Sequence, residues 1–267
     1  GGLLQLVANG NEDKYLSGNP QITYFKAVYK RHTNFSVESI RQNFNGEPEF
    51  GKKLSIDIQR SGDLMYKSYI QVTLNQVNGK DFRWVNWLGH ALVKNIEILI
   101  GGKVIDKHYG DWLHIWNELS QTNEHKEGYA SMVGNIPILT MKTPKTPECT
   151  LYIPLQFWFC RDIGLALPLI ALQYNDITIN LQLNEQKLCC YSESVKSSDI
   201  TIKSIYLYVD YIFLDSNERK LFSQLPHEYL IEQLQFSGNE KITTNVANIK
   251  LNFKHPVKGS YSSMFDV

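Results

Sequence analysis

Little in this 267-residue sequence points to a charge-driven, disulfide-held or membrane-spanning protein. Lys+Arg and Asp+Glu number 27 each, so the formal charge is zero. Coating nucleic acid takes a surplus of Lys and Arg clustered on one face. That surplus is missing, and only a local basic patch is compatible with the composition. Four cysteines, at 149, 160, 189 and 190, show neither C-x-x-C spacing nor the density of a secreted disulfide scaffold. Their scarcity points to synthesis in a reducing compartment. The longest apolar stretch, residues 163–172, is interrupted by Gly164 and Pro168 and is about half the roughly 20 residues that a spanning helix takes. The amino end, Gly1-Gly2-Leu3-Leu4-Gln5, lacks the basic-then-apolar layout of a signal peptide, and Gln5 stands where a myristoylation signal has Ser or Thr. A start without Met suggests processing or trimming.

What is present is an ordinary apolar fraction of 43% and a generous aromatic set of 5 Trp, 15 Tyr and 12 Phe. A chain of this length buries roughly 70 to 75% of its unfolded surface and needs neither metal nor disulfide to hold a core. Asn19-Pro20 ahead of Ile22, Phe25 and Val28 predicts a short helix, with Asn19 as N-cap and Pro20 at the first helical position. From Lys53 the period falls to two: Leu54, Ile56 and Ile58 alternate with polar residues, as in a strand with one buried face. Residues 69–74 read as a second strand, ended by the turn-prone Asn78-Gly79. Segments 92–100 and 104–109 flank Gly101-Gly102 and predict a tight hairpin. Residues 111–120 place Trp112, Ile115, Trp116 and Leu119 at helical spacing, and 121–148 read as loop. Alternation resumes at 151–154, 177–183 and 200–214, the last with one slip that predicts a bulge. Seven such segments by residue 214, eight when the slipped segment 200–214 is counted as two, with short helical insertions indicate an all-β sandwich of two antiparallel sheets. Residues 215–225 read as a helical connector, and 229–236 and 249–253 as two further strands.

The search for chemistry finds fragments rather than sites. Gly46-x-x-x-x-Gly51-Lys52-Lys53 has Lys53 where a P-loop needs Ser or Thr for magnesium, and it enters a strand instead of a helix, so a turn is the better reading. The seven histidines contain no H-x-H and no H-E-x-x-H; His108 and His114 are close enough in sequence to converge, but ordinary half-buried roles fit them better. Ser131 lacks the spacing of a nucleophile elbow and reads as a loop residue. Cys160, beside Arg161, fits core filling better than a stabilised thiolate. Asp57, Glu97 and Asp210 are the available carboxylates for a glycosidase pair, without any spacing that pairs them. The sequon Asn34-Phe35-Ser36 carries no weight in a chain made in the cytosol. The basic run 26–32 reads as a solvated or interface-facing helix end. No catalytic, cofactor-binding or metal-binding residue is assigned, and no cofactor is expected.

Residues 18–35, Gly-Asn-Pro-Gln-Ile-Thr-Tyr-Phe-Lys-Ala-Val-Tyr-Lys-Arg-His-Thr-Asn-Phe, closely resemble the amino-terminal signature of the major capsid proteins of nucleocytoplasmic large DNA viruses, of the mimivirus and phycodnavirus kind. The likeness continues in Phe50-Gly51-Lys52-Lys53, Arg60-x-Gly62-Asp63-Leu64, Pro154-Leu155-x-Phe157-Trp158-Phe159-Cys160-Arg161 and the run 165–172. It extends through Asp210-Tyr211-x-Phe213-Leu214-Asp215 and His227-x-Tyr229-Leu230-Ile231-Glu232-Gln233, covering residues 1 to about 257.

The resemblance implies a jelly-roll sandwich at 1–215, with an amino-terminal arm, and at 216–267 a connector helix and the opening strands of a second, incomplete jelly roll. It implies a structural role in a virion: a trimer forming a pseudo-hexagonal capsomer that tiles an icosahedral shell near an internal membrane. Expected partners are copies of the chain, other capsid proteins or a full-length paralogue, with no direct nucleic-acid contact. Two further readings stay open. One is a carbohydrate-binding, host-attachment module using exposed Tyr or Trp at 80–90 and 121–148; the other is a truncated, non-assembling paralogue. A sandwich-fold enzyme is disfavoured by the motif search. Trp84, Trp87, Trp112, Trp116 and Trp158 are core candidates first, with subunit anchoring as the alternative.

Overall fold

The computed structural model describes residues 34–79, 81–192, 195–241 and 248–262. The expected helix at 20–29, the basic run at 26–32 and the arm at 1–16 lie outside them. Eight strands of five or more residues build two antiparallel sheets. The first sets β1 (Phe35–Asn43) beside β13 (Ile202–Leu214) and β13 beside β3 (Leu64–Leu74); β9 (Cys149–Pro154) and the short β10 (Leu167–Pro168) both pair with β3. The second runs β2 (Lys53–Asp57), β11 (Ile177–Leu183), β6 (Val93–Ile100) and β7 (Lys103–Tyr109). The chain alternates between the sheets in jelly-roll order. Two-residue strands β4 (Val77–Asn78) with β8 (Lys145–Thr146), and β5 (Arg83–Trp84) with β12 (Cys190–Tyr191), close the loops between them.

Period-two patterning produces this packing. In β11, Ile177, Ile179, Leu181 and Leu183 are buried while Thr178, Asn180 and Gln182 face outward. They meet Ile70, Val72 and Leu74 of β3 and Leu207 and Val209 of β13 in one continuous core, each such side chain contributing about 1.5–3 kcal/mol by burial. The slip expected in the last strand is real, with register shifts at Ile202/Ser204 and Val209/Tyr211. The hairpin at Gly101 (φ 58°) and Gly102 (φ 77°) joins β6 to β7 as expected, both glycines adopting the left-handed backbone that the tight turn needs.

Among the described residues, seven helices fill the connections: α1 (Leu88–Leu92), α2 (Gly110–Ser120), α3 (Lys126–Met132), α4 (Pro137–Thr140), α5 (Trp158–Arg161), α6 (Gln186–Cys189) and α7 (Ser216–Gln224). The segment 121–148, expected as loop, carries α3, α4 and β8, and Ser131 lies within α3 rather than in a loop. These pieces are short, and burial of Tyr129 and Leu139 orders them, not a helical period long enough to read. At Gly110 a Cβ would come within 2.3 Å of the His90 carbonyl oxygen, so α2 approaches α1 as closely as it does only through a glycine.

β1 is the strand that alternation conceals: Phe35 and Val37 face outward, and Ile40 then breaks the period by facing inward opposite Val209. Conversely, 229–236 and 249–253 have strand patterning but form no strand. A ladder needs a partner for each backbone group, and the described residues offer these segments side-chain partners instead. Gln235 accepts from the Lys254 amide at 2.8 Å, and its own amide donates to the Lys254 carbonyl at 2.6 Å.

Candidate interaction surface

The residues with chemical potential are dispersed. Asp57 and Glu97 face outward on the second sheet, on β2 and β6 with β11 between them, and Asp210 faces outward on the first sheet, so the three carboxylates do not assemble. Asp57 accepts from Thr178 at 2.7 Å. Burial works to raise the Glu97 pKa, but the Asn180 hydrogen bond and the Lys107 and Lys53 ammonium groups outweigh it and hold the carboxyl below its usual range. Cys160 fills core space, and burial pushes its thiol up to about 12. The P-loop-like stretch is a turn at Gly46 (φ 113°) and Gly51 (φ 76°) leading into β2. Among the described residues, no group of three or more His, Cys, Asp or Glu gathers in a metal-binding arrangement.

His108 and His114 do not converge on each other. His108 faces inward from β7, stacks on Phe157 at 4.7 Å and lies 2.9 Å from Asp106, two residues away on the same face, an approach that lacks hydrogen-bond alignment. The shift between Ile98 and Leu99 in the β6–β7 register turns this polar pair inward, which a straight alternation over 104–109 does not reveal. His114 instead joins Trp87, His90 and Tyr129 in a cluster spanning the loop before α1, α2 and α3. His90 is buried with its Nε2 2.8 Å from the Tyr129 hydroxyl, and burial first, then the nearby His114, depress its pKa to about 3. Of the five tryptophans, Trp84 and Trp158 are buried; Trp87, Trp112 and Trp116 are only partly covered.

Segment 229–236 crosses the outer edge of β7. The Leu234 amide donates to Asp106 Oδ1 at 3.0 Å, the Gln233 amide group donates to the Ile105 carbonyl, and the Phe236 ring sits 4.9 Å from Tyr109. Arg161 pairs with Glu232 at 2.7 Å while lying 4.0 Å from the Trp116 ring centroid, and Lys258 pairs with the same Glu232. The second sheet therefore ends in a covered edge.

The first sheet presents a different exterior. Its outward positions align Tyr152 of β9, Tyr69 of β3, and Tyr206 and Tyr208 of β13 with Arg41 of β1. Tyr69 and Tyr208 stack at 5.1 Å with an interplanar angle of 3°, Tyr152 meets Tyr69 edge-on at 6.0 Å, and the Arg41 guanidinium lies 4.6 Å from the Tyr206 ring centroid. Gln71 donates to the Tyr152 hydroxyl at 3.1 Å, and Thr73 and Thr150 share a hydrogen bond of 3.2 Å across the strands. Toward one end the face becomes apolar. Leu64 and Ile212 are covered there by Phe222 of α7, whose position is fixed by an Arg219–Asp63 ion pair of 2.9 Å. Val37 and Phe35 continue this apolar margin along β1, 50% and 60% exposed. Tyrosine and arginine ordered on one face are the materials of recognition surfaces.

Comparison with known proteins gives this surface its setting. The family described as major capsid protein N-terminus matches residues 23–215. The chain belongs to this family. It is 54% identical over 260 residues to the major capsid protein of Pyramimonas orientalis virus, covering 97% of this chain and 63% of that protein. To capsid protein 1 of Acanthamoeba polyphaga mimivirus it is 49% identical over 284 residues, covering 98% of this chain and 48% of the relative. A quasi-atomic model of the PBCV-1 virus capsid superposes with a TM-score of 0.74 at 39% identity, over 88% of this chain and 57% of that one. The chain thus spans about half to three-fifths of the length of the relatives it matches.

Proposed function

We propose that the chain is a structural subunit of a virion shell, working by self-association and not by turnover. The observation that carries this reading is the combination of a complete eight-strand jelly roll with 54% identity to a major capsid protein along nearly the whole chain. Three such chains would form a pseudo-hexagonal capsomer and pack with other capsid proteins over an internal membrane. Residues 1–215 would be the first sandwich, and 216–267 the connector and opening of a second. The segments 229–236 and 249–253 support that division, because they have the alternation of strands and, among the described residues, pair with no sheet. The surface chemistry is in keeping with assembly: ordered aromatics on one sheet, balanced ion pairs on the other, and thiols kept protonated by burial.

Proteomic analysis of purified virions carrying this sequence, combined with immunogold labelling, tests the reading. Stoichiometric recovery in the particle, with label on the shell, is the expected result. Absence of the chain from particles that contain the other coat proteins would overturn it. The trimer is checked separately by light scattering of the purified chain, where a mass three times that of the protomer is expected.

A further inference from the structure

We infer that Asn45-Gly46, in the turn between β1 and β2, is a site of spontaneous deamidation and isoaspartate formation, whereas Asn78-Gly79 of the same fold is protected from it. The inference does not depend on the shell-forming reading. The sequence holds three Asn-Gly pairs, at 9–10, 45–46 and 78–79, and the last two lie among the described residues. Glycine after Asn favours the reaction because no Cβ obstructs the approach of its backbone nitrogen. The Gly46 amide gives its proton to water or hydroxide and attacks Asn45 Cγ. The N–Cγ bond forms, the Cγ–Nδ2 bond breaks, and the leaving nitrogen takes a proton from solvent to depart as ammonia. Water then opens the resulting succinimide at either carbonyl, leaving an aspartyl or an isoaspartyl residue at position 45.

Both asparagines are exposed, so access to water does not separate the two sites; hydrogen bonding does. Among the described residues, neither the Gly46 amide nor the Asn45 side chain has a hydrogen-bond partner. Gly46 also stands at φ 113°, and a Cβ there would meet Leu54 Cδ2 at 3.0 Å, so the fold itself keeps glycine after Asn45. Asn78 is held differently. Its backbone pairs with Lys145 between β4 and β8, its Oδ1 accepts from Gln76 at 3.1 Å, and the Gly79 amide donates to the Pro144 carbonyl at 3.1 Å. Attack there must first break the Gly79 bond and free the side chain. The consequence at position 45 reaches the backbone. Asn45 exchanges both main-chain bonds with Ser55, at 2.7 and 3.3 Å, beside the buried Leu54. An isoaspartyl residue lengthens the main chain by a methylene and takes that pair out of register, whereas an aspartyl residue leaves it intact and adds only charge.

The test ages the purified chain in mildly alkaline buffer, folded and in urea, and follows the peptides around 45 and 78 by mass spectrometry, with an isoaspartyl methyltransferase reporting the isoaspartyl fraction of each. In the folded chain, position 45 should convert at least tenfold faster than position 78, a ratio equivalent to about 1.4 kcal/mol of barrier. In urea the two rates should draw together, because the rate at 78 rises once its bonds are lost while the rate at 45 changes little. Hydrogen exchange gives an independent check: the Gly46 amide should exchange at least tenfold faster than the Gly79 amide in the folded chain. A folded-state ratio of conversion below tenfold would overturn the inference. So would a rate at 45 that rises on unfolding as much as the rate at 78, or a Gly46 amide that exchanges no faster than that of Gly79.

Discussion

The edge strands β1 and β7 are managed in opposite ways. β7 turns Asp106 and His108 inward and is crossed by 229–236, which donates to Asp106 and to the Ile105 carbonyl from outside. Inward polar groups and a covering segment are two recognised ways of blunting an edge. β1 pairs along nine residues with β13, carries Phe35 and Val37 largely in solvent, and borders a tyrosine-faced sheet. Its inward side is secured by Gln42, which bonds the Tyr211 hydroxyl and, at 3.1 Å, the Gln59 amide. Both strands are therefore firmly held to the sandwich, and the difference lies in what each leaves for a neighbour. The β7 side is crossed by 229–236, whereas among the described residues no strand pairs with the outer edge of β1.

The strongest way to break that comparison is to remove an anchor from each side. Phe157 is fully buried and stacks on His108 at 4.7 Å and on Phe159 at 5.8 Å. Phe157→Ala should cost about 3–5 kcal/mol in denaturant unfolding. Phe35→Ala, at a largely exposed site, should cost less than about 0.5 kcal/mol. Equal losses would mean that the β1 edge is covered after all.

Acid should act on the β7 side next. The His90 pKa of about 3 in the fold lies below its ordinary value of 6.5, so the unfolded chain takes up a proton first as pH falls. The His90 contribution to stability is present above pH 6.5 and is lost as pH falls from 6.5 toward 3, by at most about 1.4 kcal/mol for each pH unit. His114 and Tyr129, which face His90 from α2 and α3, should be exposed with it. Chemical denaturation from pH 7.5 to 4 should show this slope, and it should be shallower in His90→Gln. An unchanged slope in that variant would place the sensitive group elsewhere.

Much of this architecture was legible as patterning, and the reasons for the failures are specific. β11 and the β6–β7 hairpin could be read because their apolar residues alternate without interruption and their turn requires glycine. β1 could not, because its outward face is itself apolar at Phe35 and Val37 and the inward Ile40 then falls out of phase. The tyrosine face was half visible: Tyr206 and Tyr208 occupy the polar positions of an alternating strand. Their union with Tyr69 and Tyr152 depends on register between strands distant in sequence. Asp106 and His108 were hidden by a register shift that reverses which residues face the core. Segments 229–236 and 249–253 make the complementary point, that alternation specifies a face to be buried but does not supply the strand that completes a ladder.

Two milder substitutions sharpen the account of the closed edge. Asp106→Ala removes the acceptor of the Leu234 amide and leaves His108 without its carboxylate neighbour. A loss of about 1–3 kcal/mol is expected, with faster hydrogen exchange concentrated in 229–236. Glu232→Ala breaks the ion pairs to Arg161 and Lys258 on the partly exposed outer side of the same crossing. Pairs so placed are worth about 0.2–1 kcal/mol, so Tm should scarcely move while limited proteolysis within 226–241 accelerates. If Glu232→Ala released the segment as fully as Asp106→Ala, surface charge and not the inward carboxylate would hold the crossing. The closed edge would then loosen with added salt, while the Asp106 contact, screened from solvent by the sandwich itself, should hold from low to high ionic strength.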